Sequence, residues 1–166
     1  MRAWADYKKT IKEEDVIFSY ARNGNLDSLM KLALLGENKV NEKNHKGYSA
    51  LMLATYHGHL KMAEYLLQNK ADPNSKDLSG NTILMGAAFK VHLDLVQLLV
   101  ESGADVNVLN SKNQSALDFA TLFGRVKVVL FLKSIQQKPE NFSLIDIFSS
   151  WSSYLLPKRK KTNEQN

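Results

Sequence analysis

Cysteine is absent from this sequence, and proline (three) and glycine (eight) are scarce among its 166 residues. Without a thiol there is no disulfide scaffold, thiolate zinc site, iron–sulfur cluster or cysteine nucleophile. No uncharged apolar run reaches the roughly 18 residues that read as a bilayer span. Residues 1–16, MRAWADYKKTIKEEDV, carry charge throughout in place of the apolar stretch of a signal peptide. These absences lead to the expectation of a soluble, monomeric protein kept in the cytoplasm. Catalytic constellations are missing as well. There is no phosphate loop, nucleophile elbow or carboxylate pair, and Gly86 stands alone. His57-Gly-His59 lacks a third ligand at metal spacing. The chain is therefore expected not to be an enzyme, and to need no cofactor, metal or small-molecule substrate.

What is present is enough to fold. The chain is 44% hydrophobic and 23% charged, which suits one compact unit with a buried core. Its net charge of +5 is unevenly placed. Residues 157–166 hold Lys158, Arg159, Lys160 and Lys161 against Glu164, a net of +3 that leaves +2 for residues 1–156. An ordinary charge on the folded part does not call for a nucleic-acid partner.

Three stretches repeat at an offset of 33 residues. They read GYSALMLATYHGHLKMAEYLLQNKADPN from Gly47, GNTILMGAAFKVHLDLVQLLVESGADVN from Gly80 and NQSALDFATLFGRVKVVLFLKSI from Asn113. Leu51, Leu84 and Leu117 recur, as do Ala54, Ala87 and Ala120, and Leu66, Leu99 and Leu132. Ser49, Thr82 and Ser115 are placed to cap the first of two short helices. The small alanines let neighbouring first helices approach closely, and Gly58 and Gly124 suit the positive φ that ends those helices. A polar turn then leads into an extended finger.

This pattern resembles the ankyrin repeat, G-x-T-P-L-H-x-A-A-x-x-G-H followed by an apolar helix and G-A-D-x-N. The resemblance covers about residues 13–135 and includes a degenerate first unit with Gly24, Asn25, Leu26, Val40 and Asn41 in the expected places. It implies an all-α solenoid of helix-turn-helix units joined by β-hairpin-like fingers. The expected layout is an extension over 1–13, a degenerate repeat over 14–43, repeats over 44–76, 77–109 and 110–137, a capping helix over 138–157 and a basic tail over 158–166. Two departures stand out. The tetrad histidine is replaced by Met52, Met85 and Asp118, which predicts lost hydrogen bonds and lower stability than a consensus array. Val91 replaces a helix-ending glycine, so that helix is expected to end differently.

A solenoid needs its ends covered. Thr10 to Glu13 fits a capping box, with Trp4, Tyr7 and Ile11 as an apolar stripe. At the far end Leu144, Phe148, Trp151 and Leu155 form one apolar face, with Ser143 and Asp146 as a capping box and Pro157 as a stop. The resemblance implies that the chain works as a non-enzymatic interaction module, touching its partner with finger tips and exposed first-helix ends. Mapped onto this sequence, those positions are Arg22, His45, Lys46, Tyr48, Tyr56, His57, Leu78, Asn81, Phe89, Lys90, Lys112, Gln114 and Phe123. Aromatics edged by lysines point to a protein or peptide partner of acidic and apolar character. Nucleic acid and membrane are not expected partners. A second reading makes the C-terminal helix and the tail Lys158, Arg159, Lys160 and Lys161 the active element. That element would be a nuclear-import or membrane-surface address, in a bacterial effector delivered to a host cell.

Overall fold

A computed structural model of the chain describes residues 16–34, 40–90 and 92–137. The N-terminal capping box and stripe, Val91, the C-terminal helix and the basic tail lie outside the described residues. Those described form eight α-helices and no strand longer than an isolated bridge. The helices are α1 (16–23), α2 (Leu26–Leu34), α3 (Ala50–Tyr56), α4 (Leu60–Gln68), α5 (Ile83–Lys90), α6 (Leu93–Glu101), α7 (Ala116–Leu122) and α8 (Val126–Gln136). They pair in sequence, and the pairs stack: α5 packs on α3 and α7, while α6 packs on α4 and α8. The chain is therefore the all-α solenoid expected from the repeat.

The local causes recur at each repeat. The Ser49 hydroxyl accepts from the Met52 N–H at 3.2 Å, and Thr82 and Ser115 cap α5 and α7 in the same way. Gly58 and Gly124 end α3 and α7 with φ of +82° and +65°. Ala54, Ala87 and Ala120 are each fully buried between inner helices, where a larger side chain would force the layers apart. Leu66, Leu99 and Leu132 fill the space between inner and outer helices, each worth about 1.5–3 kcal/mol of apolar burial.

Side-chain amides tie one repeat to the next. The Asn74 Oδ1 accepts from the Asp105 N–H at 2.8 Å and its Nδ2 donates to the Gly103 carbonyl at 3.0 Å. Asn41 makes the same two bonds to Asp72 and Lys70, which joins the degenerate first repeat to the stack. A second tie runs between inner-helix ends. His59 Nε2 lies 2.8 Å from the Arg22 carbonyl, and Arg125, at the equivalent place two repeats on, donates from Nε to the Phe89 carbonyl at 2.9 Å.

The missing tetrad histidine costs less hydrogen bonding than the sequence predicts. Met85 Sδ accepts the Thr82 N–H at 3.3 Å. The Asp118 Oδ2 accepts both the N–H and the hydroxyl of Ser115, at 2.8 and 2.6 Å, completing a capping box. Two of the three replacements thus supply their own acceptor.

Candidate functional site

The inner helices and fingers enclose an open-sided groove of about 360 Å³ on the concave face. Six of the residues singled out in the sequence line it: Arg22, Tyr48, Tyr56, His57, Asn81 and Phe89. The 33-residue register explains the convergence, because Tyr56 and Phe89 occupy the same place near the ends of α3 and α5. Their rings stand 6.3 Å apart and nearly parallel, at 13°. Phe123 then meets Phe89 edge-on, with centroids 4.5 Å apart at 84°. Contacts of this kind are worth about 0.5–1.5 kcal/mol each beyond area burial. The result is one aromatic seam across three repeats, with Tyr56 38% and Phe123 41% exposed.

Cations flank the seam. The Lys90 ammonium lies over the Tyr56 ring, 4.5 Å from its centroid and 5.6 Å from that of Phe89. His57 packs edge-on against Tyr56 and stacks on His59. Partial burial holds the His57 imidazole below its usual pKa, and the neighbouring His59, Arg22 and Lys90 add to that effect. The one carboxylate in the groove lining belongs to Asp77, and both its oxygens are engaged within its own finger. Oδ1 accepts from the Ser79 and Asn81 N–H groups, and Oδ2 from the Asn81 amide.

The other candidates fall outside the groove. His45, Lys46 and Leu78 are exposed on finger tips, with Leu78 80% exposed. Lys112 and Gln114 line a separate recess of about 140 Å³. Asn81 and Gln114 are not free recognition groups. The Asn110 amide donates to the Asn81 Oδ1 at 2.8 Å and reaches the Gln114 Oε1 at 3.4 Å, tying neighbouring fingers together.

Sequence reasoning missed the floor. Met52, Leu53, Met85, Gly86 and Phe119 also line the groove. The signal was available in Leu53, Gly86 and Phe119, which share one register position and alternate between large, absent and large. Among the described residues, no group of three histidines or carboxylates is placed to hold a metal ion, and no helix is long and apolar enough to cross a membrane. The family model described as ankyrin repeats (3 copies) matches residues 17–110 and 70–142. No curated protein matches the chain.

Proposed function

The chain belongs to the ankyrin repeat family, and on that premise we propose that its concave groove docks a partner protein or peptide of acidic and apolar character, without catalysis. Ankyrin repeats generally mediate protein–protein interaction. The finer reading rests on the half-exposed seam of Tyr56, Phe89 and Phe123. The rings pack on one another between repeats, but Tyr56 and Phe123 also keep exposed surface, and aromatics at the centre of an interface carry much of its energy. Arg22 and Lys90 edge the seam with positive charge, so acidic residues on the partner steer it into register.

The test is capture of partners from a cell lysate by the wild-type chain and by a Tyr56→Ala, Phe89→Ala variant. The expected outcome is loss of the captured protein while the far-ultraviolet circular dichroism of the variant stays helical. Equal capture by a folded variant would place the binding surface elsewhere.

A further inference from the structure

Gly86 sits mid-helix in α5, on the floor of the groove, where the same register position holds Leu53 in the repeat before and Phe119 in the repeat after. A glycine inside a helix costs about 0.5–1 kcal/mol relative to alanine. Packing does not require it here. A Cβ on Gly86 would meet only the Tyr56 Cδ2, at 3.7 Å, which is ordinary contact. Its φ lies outside the left-handed region that would call for glycine. Neither backbone geometry nor crowding explains the residue, and its effect is to leave an apolar recess between two large neighbours.

We propose that this recess is an anchor pocket for one bulky apolar side chain of the docked peptide, flanked by a peptide carboxylate that faces Arg22. The proposal rests on the concave-face reading and names the position within that face that selects the ligand. The lining decides the chemistry of the occupant. Met52, Met85 and Phe119 line it with apolar atoms, and on the finger side the polar groups of Asp77 and Asn81 are already hydrogen-bonded to each other. An oriented small polar ligand would need unengaged donors or acceptors there. A leucine, methionine or phenylalanine side chain needs only apolar walls and exclusion of water. The charge on the adjacent wall comes from Arg22 and Lys90, and among the described residues the lining holds no carboxylate but the engaged Asp77. That asymmetry selects aspartate or glutamate beside the anchor.

The experiment is a selection from a displayed library of random dodecapeptides against the full chain. Selected peptides are then measured on the wild type, Gly86→Ala, Gly86→Leu and the Tyr56→Ala, Phe89→Ala pair. The expected consensus is one bulky apolar residue next to an acidic one. Gly86→Leu should weaken binding tenfold or more, since about 10–200-fold follows from a methylene-scale change in an apolar pocket. Gly86→Ala should bind several-fold more weakly than wild type while unfolding at a higher temperature, and it remains informative if the leucine variant misfolds. Peptides that need the Tyr56 and Phe89 rings but tolerate both Gly86 variants would overturn the pocket and leave the concave-face reading intact. Peptides indifferent to all the variants, or no selected peptide at all, would overturn both.

Discussion

Coupling between the first two repeats can be measured by comparing Gly24→Ala with Gly124→Ala. The two glycines have nearly the same backbone, with φ of +69° and +65°. Alanine in this left-handed region costs about 1–2 kcal/mol, partly offset by about 0.4–1 kcal/mol from a stiffer unfolded chain. At Gly124 a Cβ would meet nothing within 4 Å among the described residues, so the backbone effect stands alone at about 0–1.6 kcal/mol. At Gly24 the same Cβ would fall 2.6 Å from His59 Nδ1, 2.8 Å from Cε1 and 2.9 Å from Cγ. That ring is held in place by the contact of Nε2 with the Arg22 carbonyl. Relieving the clash displaces the imidazole and costs about 1–3 kcal/mol of overpacking, with about 0.5–1.5 kcal/mol more for the lost hydrogen bond. Urea unfolding followed by circular dichroism should therefore show Gly24→Ala losing about 1.5–4.5 kcal/mol more than Gly124→Ala. In a His59→Ala background the clash is gone, and Gly24→Ala should cost no more than Gly124→Ala. Equal costs in the wild-type background, or a Gly24 cost that ignores His59, would refute the reasoning.

Two further outcomes follow from single side chains. Thr55 is fully buried and its hydroxyl has no hydrogen-bond partner among the described residues, so Thr55→Val keeps the shape and should raise stability by about 1 kcal/mol in urea unfolding; an unchanged midpoint would mean that the hydroxyl is satisfied. Asp118→Ala removes the capping box and should cost about 1 kcal/mol at neutral pH. The side-chain and backbone hydrogen bonds from Ser115 hold the Asp118 carboxyl below its usual range, against a small opposing effect of burial. A carboxyl with a lower pKa folded than unfolded stabilises above the usual carboxylate range and loses that contribution as pH falls through the lowered value. Acid titration of stability should thus be shallower in Asp118→Ala than in the wild type.

Much of the fold was legible because its determinants repeat. Ser49, Thr82 and Ser115 announce helix starts by residue type, and Ala54, Ala87 and Ala120 announce close helix contacts by their spacing alone. The site was less legible because its shape depends on contacts between repeats. Gly86 signals nothing until Leu53 and Phe119 are placed on either side of it. Lys90 reads as a free rim cation in sequence, yet it lies against Tyr56. Asn81 and Gln114 sit at finger positions that partners often touch, but their amide groups are engaged with Asn110. The lost tetrad histidine misled in the other direction. Position and polarity predict a missing acceptor, whereas the reach of a thioether or carboxylate back to residue 82 or 115 is a matter of rotamer, which one sequence does not state.

Recurrence itself separates stacking from recognition. In a solenoid each repeat contacts only its neighbours, so stability accumulates from interface terms that are similar at each step. Residues that serve those terms are constrained to recur, as Asn41 and Asn74 do in their paired amide bonds. Even a change of residue type is tolerated if the bond survives: Arg125 replaces histidine and still reaches the carbonyl of the preceding inner helix. A concave residue that breaks the recurrence is not held to those shared terms. Gly86 breaks it between Leu53 and Phe119, and Arg22 breaks it where Tyr56 and Phe89 carry rings. Arg22 holds its place in the stack through its backbone carbonyl, which leaves the guanidinium free to vary without loss of the tie to His59. The cation and the missing side chain both border one groove. If the proposed concave-face docking holds, substitutions at these two positions should change binding far more than they change unfolding.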